Sequence, residues 1–190
     1  MKKILSVFLI ILFCFSNLYA QSRNDSISKI EKIIFKINQN SNIKTFEVPS
    51  SKIIKEKKYN TNENIIVKKI SNKIVKIEYY STSNNVESYE SIKIYLQNKK
   101  PIFIEKEAKE IIYARPVNPT NGTIETHKFL RKSKNYIFNW DKNQFENLSW
   151  NSKTNEYEKT TVINGMFEGE KFDIIRILNL SETSISTDYK

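Results

Sequence analysis

From Lys44 onward the chain is written in a period of two, and that pattern limits its fold more than any other feature. Ile65 to Ile70, Ile74 to Tyr80, Ser88 to Leu96 and Pro101 to Glu105 are β-branched and aromatic runs of strand length. Between them lie Ser71-Asn72-Lys73, Ser81 to Asn85, and Gln97 to Lys100, all turn chemistry. Val75, Ile77 and Tyr79 alternate with Lys76 and Glu78, so one face is buried and the other wet. Connections this short hold no crossover helix, so the strands form an antiparallel meander.

The strand pattern resumes after Gly122 in Thr123 to Arg131, Tyr136 to Trp140, Phe145 to Trp150 and Tyr157 to Ile163. Turns are expected at Lys132 to Asn135, Asp141 to Asn143 and Asn151 to Asn155. Lys106 to Ala114 reads either way. Its mix of Glu107, Glu110, Lys106 and Lys109 suits a helical turn closed by Pro116 and Pro119, and it also continues the preceding strand.

Two helices flank the strands. Ile27, Ile30, Ile33, Ile34 and Ile37 fall on one face of a 3.6-residue period over Asp25 to Asn38, with Lys29, Lys32 and Lys36 opposite. Ser28 and Glu31 have capping-box spacing, although Asp25 or Ser26 caps equally well. From Glu168 to Leu180 the helical period returns through Phe172, Ile175 and Leu178/Asn179, before a polar tail from Ser181. The expected fold is α+β. An N-terminal amphipathic helix packs on an antiparallel β-meander of about seven to nine strands, followed by a short C-terminal helix.

The first twenty residues read as a secretory leader. Lys2 and Lys3 precede an apolar run from Ile4 to Phe15, and Leu18-Tyr19-Ala20 offers a small residue for cleavage before Gln21. The run is about twelve residues, short of the roughly twenty a membrane-spanning helix needs. Phe13 before Cys14 is too bulky for a lipidation site. The organisation expected is a signal peptide at 1–20 and a single α+β domain at 21–190, periplasmic or secreted. Cleavage removes the lone Cys14, so the mature chain has no thiol and no disulfide.

The same cut takes two Lys and no acid from a formal charge of +10, leaving +8. With 27 Lys against 4 Arg, 29 Ile, 22 Asn and 3 Ala, the basic charge follows an AT-rich codon bias and is spread over the chain. Only Lys52, Lys55, Lys57 and Lys58 are dense, with Glu56 among them. Scarcity of Arg, the residue suited to bidentate phosphate contact, argues against nucleic acid.

Lys36-Ile37-Asn38, Lys76-Ile77-Glu78-Tyr79-Tyr80, the strand–turn–strand from Ile94 to Phe103, and a second hairpin at His127 to Trp140 resemble a group of exported proteins of Bacteroidota type. That group opens with a helix followed by Tyr-rich hairpins. It differs here in Lys100-Pro101 where Lys-Leu is usual, and in Ser133-Lys134 where an Asn-Gly turn is usual. The resemblance implies the fold and export. It brings no catalytic residues, since the group's function is unassigned.

Several constellations bear on chemistry. Glu105, Glu107 and Glu110 cluster within six residues, and on a strand Glu105 and Glu107 share a face, as paired carboxyls of a glycosidase must. Lys106 and Lys109 neutralise the run, so a charged solvent face is the competing reading. His127 shares a face with Glu125 and Phe129, as an oriented general base or as a packing residue. Asp141-Lys142-Asn143 begins like a calcium loop but lacks the Gly and distal Glu, and reads as a tight turn. Three Gly and one His leave no phosphate-cradling loop and no imidazole cluster. No catalytic, cofactor or metal site is assigned, and no cofactor is called for.

The aromatic residues Tyr79, Tyr80, Tyr89, Tyr95, Phe103, Tyr136, Phe138, Trp140, Phe145 and Trp150 lie in strands or at their ends. Alternate members must take opposite faces. Those turned away from the helix form a surface for an envelope protein, peptide or glycan, or else a second packing layer. The sequence therefore reads as a non-enzymatic binding or structural module of the cell envelope. Its alternatives are an envelope-glycan hydrolase using paired Glu, or a binder of anionic polymer or lipid through a Lys-rich surface.

Overall fold

A chain with three glycines must build its tight turns from other residues, and this one uses mainly asparagine. The computed structural model describes residues 22–49, 53, 61–83, 88–114, 125–160 and 164–185. Among these, Ser71, Asn98, Lys99, Asn143 and Asn155 have φ between 51° and 66°, and all five lie in hairpin connections. Asn tolerates that left-handed region better than most residues, which makes it a workable substitute for Gly.

The turns link strands β1 (Lys44–Glu47), β2 (Thr61–Ile70), β3 (Lys73–Ser83), β4 (Tyr89–Gln97), β5 (Lys100–Ala114), β6 (Glu125–Asn139), β7 (Gln144–Asn151) and β8 (Glu156–Lys159). They form one sheet in sequence order, with every neighbouring pair antiparallel. Helix α1 covers residues 22–38 and helix α2 covers Asn164–Ile185. The fold is α+β, with a meander of eight strands among the described residues. The chain divides into two compact units, Met1–Asn40 carrying α1 and Ser41–Lys190 carrying the sheet and α2. In α1, Ile30 and Ile37 are buried while Lys29, Lys32 and Lys36 are exposed. The leader at 1–20, with Cys14, and the lysine cluster at 52–58 lie outside the described residues.

One face of the sheet meets α2. Val67, Ile77, Ile94 and Ile104 stand opposite one another across four strands, beside a second row of Ile65, Tyr79 and Ile92. Ile174, Ile177 and Leu180 of α2 bury themselves in the same cluster. Each such side chain contributes about 1.5–3 kcal/mol by leaving water. Arg176 of α2 reaches Glu63 of β2 at 2.7 Å. Buried Ser181 donates to the Ile177 carbonyl at 2.7 Å, which satisfies its hydroxyl inside the helix. Toward β6 and β7 the apolar row gives way to amides, and buried Asn147 donates to Asn135 at 2.8 Å.

The structure decides one open reading and corrects others. Lys106 to Ala114, open between helix and strand, is strand, so β5 runs for 15 residues. Its length removes the turn expected at Lys132 to Asn135, because those residues pair in register with Glu107, Lys106, Glu105 and Ile104. The strands expected on either side of that turn are one continuous β6. Opposite charges facing across strands favour this pairing over a loop.

The C-terminal helix is not short, running 22 residues, past the expected start of the polar tail at Ser181. Its phase also differs: Phe172 is 73% and Ile175 41% exposed, while Ile174 and Ile177 are buried. The apolar residues of this helix lie nearly all round it, so spacing alone allowed either stripe to face the sheet. β8 closes at Lys159, and residues 161–163 of the strand expected there lie outside the described residues.

Candidate functional site

The face of the sheet turned away from α2 is organised in transverse rows. Cross-strand register aligns Tyr80, Ser91, Glu107 and Lys132 in one row, and Glu78, Lys93, Glu105 and Lys134 in the next. The second row alternates acid and base across four strands, and the ion pairs follow. Lys93 lies 2.9 Å from Glu105, Lys132 lies 3.0 Å from Glu107, and Glu78 takes Lys68 at 3.0 Å and Lys76 at 2.8 Å. Burial raises the Glu78 carboxyl, but hydrogen bonds from Lys76 and Lys68 outweigh it and hold the group below the usual carboxylate range.

Aromatic side chains frame these charges. Tyr80 and Tyr89 stack with centroids 6.1 Å apart and planes 26° from parallel. The Tyr89 hydroxyl donates to Glu107 Oε1 at 2.5 Å. That bond, with the one from Lys132, holds the Glu107 carboxyl low, and the anionic acceptor raises the Tyr89 phenol in turn. On the far side Tyr157 of β8 packs edge-on against Trp150 at 5.1 Å, with Lys134 Nζ 4.3 Å from its ring centre. Burial and the neighbouring Glu105 raise the Tyr157 phenol.

Tyr80, Tyr89, Lys93, Glu105, Glu107, Lys132 and Tyr157 share the lining of one open cleft of about 280 Å³. In a flat sheet β4 and β8 stand four spacings apart, roughly 19 Å at ~4.8 Å each. A common cleft therefore means that the sheet curls toward this face.

The carboxylates singled out in the sequence separate here. Glu105 and Glu107 share the outer face and the cleft, as expected for residues two apart on a strand. Glu110 lies on the opposite face, 3.1 Å from Arg131. A general acid needs a raised carboxyl, and Glu107 is shifted the other way. His127 stands opposite Ile112 in β6. Its side chain and that of Glu125 lie outside the described residues.

Asp141-Lys142-Asn143 is a turn, as read from the sequence, closing the β6–β7 hairpin. Asp141 pairs with Lys100. Lys171 of α2 donates to the Trp140 carbonyl at 3.0 Å and to Asn143 Oδ1 at 2.7 Å, with its Nζ 4.7 Å from the Trp140 ring centre. Among the described residues no group of three His, Cys, Asp or Glu is placed to hold a metal ion. None of their helices is long and apolar enough to cross a membrane.

The expected aromatic surface proves smaller than the sequence suggested. Tyr79 turns inward to the core, and Phe145 packs against it. Tyr95, Phe103 and Tyr136 are buried in a contact row with centroids 5.8 and 5.0 Å apart, which makes them packing residues. Tyr80 and Phe138, 47% and 37% exposed, are the accessible members, with Tyr89, Trp140 and Trp150 half-buried. Lys93, Lys132 and Tyr157 were not singled out in the sequence. Their signal is cross-strand register, which a linear pattern does not display. No family model matches this chain, no curated protein matches it, and no solved structure matches it.

Proposed function

We propose that this chain is an exported, non-enzymatic binding module of the cell envelope, and that its ligand sits in the cleft on the outer face of the sheet. The observation that carries the reading is the stacked Tyr80–Tyr89 pair beside the Lys93–Glu105 and Lys132–Glu107 ion pairs. Aromatic surface beside fixed polar groups is the usual make-up of a recognition site. The depressed Glu107 carboxyl suits an acceptor of hydrogen bonds better than a proton donor in hydrolysis.

The leader pattern at residues 1–20 supports export to the periplasm or beyond. The buried Ile30 and Ile37 of α1 support an amphipathic helix whose isoleucine face packs on apolar surface. Resemblance to the exported Bacteroidota-type group stands as part of the same proposal.

The test is capture from the envelope fraction of the native host, using tagged full-length protein and its Tyr80→Ala variant, washed at low and then high salt. A component held stoichiometrically by the native protein and lost with Tyr80→Ala supports the cleft as the binding site. Retention indifferent to Tyr80→Ala, or no retention at either salt, overturns it. Material released by salt and indifferent to Tyr80 points instead to the dispersed lysines and an anionic polymer.

A further inference from the structure

Resting on the binding-module reading, we infer that the cleft takes an uncharged saccharide, a short stretch of neutral glycan rather than an acidic polymer or a peptide. Charge is the first argument. The cleft's lysines are matched by carboxylates on the facing strand, Lys93 by Glu105 and Lys132 by Glu107. Lys106, which also borders the cleft, turns its side chain to the α2 face, where it pairs with Glu90 at 2.7 Å, and adds no unmatched charge to the outer face. The matched set gives the cleft little net field to draw in an anion, and a polyanion would have to break these pairs in order to bind.

The second argument is hydrogen-bonding capacity. Ammonium groups donate, carboxylates accept, and the Tyr and Ser91 hydroxyls do both, so donors and acceptors alternate along the floor within a few ångströms. A vicinal diol, in which each hydroxyl both donates and accepts, is complementary to such a floor. Hydrogen bonds to charged partners are the stronger kind, and an uncharged diol gains them without the cost of desolvating its own charge.

Shape supplies the third. A pyranose ring has an apolar C–H face, and Tyr80 leaves 47% of its surface open beside the polar floor. The opposite wall is Tyr157, fixed by Trp150. A volume of about 280 Å³ suits a sugar ring or a short oligosaccharide and is small for a folded partner.

The inference is tested by NMR titration of the full-length protein with maltotriose, cellotriose, laminaritriose and triacetylchitotriose, and with trigalacturonate as the anionic probe. At least one neutral trisaccharide should shift Tyr80, Tyr89 and Tyr157 resonances. Its affinity should hold within about twofold between low and high salt, since no counterions are released. Tyr80→Ala should weaken it about tenfold, the scale of an aromatic contact. Phe172→Ala, on the exposed side of α2, should leave it unchanged. Binding of trigalacturonate alone, falling steeply with salt, overturns the neutral class. Absence of binding by every sugar overturns the saccharide inference. If Tyr80-dependent capture from the envelope persists in that case, the binding-module reading still stands. Saccharide binding that Tyr80→Ala leaves intact overturns the site.

Discussion

Arg176 and Glu63, 113 positions apart in sequence, meet at 2.7 Å where α2 crosses β2. The carboxylate side chain is 9% exposed and the guanidinium 24%, so the pair lies mostly within the protein. Two such groups together gain little over an apolar pair, whereas one alone leaves a charge out of water. Arg176→Met should therefore lower the unfolding free energy by about 2–3 kcal/mol. The double variant with Glu63→Met should recover part of that loss. Urea unfolding of the four proteins measures both. A cost for the single variant within the ~0.5 kcal/mol of an ordinary surface change would show that the pair does not fix the helix.

The orientation of α2 has its own test. Ile177 is 2% exposed against the isoleucine rows of the sheet, and Phe172 is 73% exposed on the same helix. Ile177→Ala should cost about 2–5 kcal/mol through lost burial and the cavity left behind. Phe172→Ala should stay within about 0.5 kcal/mol. The stripe read from sequence, with Phe172 and Ile175 inward, requires the reverse order. Thermal or urea unfolding of the two variants decides between the phases.

The β4–β5 turn offers a stabilising change. Asn98 and Lys99 have φ of 52° and 66°, the paired left-handed geometry of a two-residue hairpin turn. Asn takes this conformation readily, but a lysine pays a steric cost there that glycine does not. Lys99→Gly should stabilise the protein by about 1 kcal/mol and raise Tm by about 2–4 °C in calorimetry. No gain would mean that the turn relaxes out of this geometry in solution.

That hairpin also marks where sequence reasoning stops. Most strands were legible, because alternation and turn residues are local signals, although β1 was not singled out, the second half of β5 stayed open and β6 was read as two strands. Register was not legible. The turn pairs Gln97 with Lys100 and Leu96 with Pro101, and an unbroken ladder would next set Lys93 opposite Ile104. Glu105 and Glu107 would then share the helix face with Ile92 and Glu90. A bulge between Tyr95 and Leu96 shifts the pairing by one residue, so Lys93 meets Glu105 and both acids face outward. A one-residue shift exchanges the faces of every later side chain. The cleft depends on that bulge, and only the ladder itself reveals it. The length of β5 escaped for a related reason, since its Lys–Glu run becomes strand-like only against the basic partners of β6.

Two carboxyls on opposite faces of the sheet should respond to acid in opposite senses. Glu107 is held below its ordinary value of 4.5 by Tyr89 and Lys132. Its contribution to stability is complete above 4.5 and is lost as pH falls through the lower folded value. Glu170 of α2 is raised, first by burial, with Glu90 and Asp173 adding to the shift and Lys106 opposing it. The fold holds that proton more tightly than the unfolded chain does, so Glu170 costs least below 4.5 and most once pH has risen past its folded value. Glu170→Gln should therefore be more stable than the native protein at neutral pH, and Glu107→Gln less stable. The Glu170 difference should shrink as pH falls to 4.5 and below, and the Glu107 difference only as pH falls through its lowered folded value, since each variant matches the native side chain once that side chain is uncharged. Urea midpoints across that range for the three proteins test the assignment. A Glu170→Gln variant that is destabilised at neutral pH would mean that the attraction of Lys106 outweighs the cost of burial at that position.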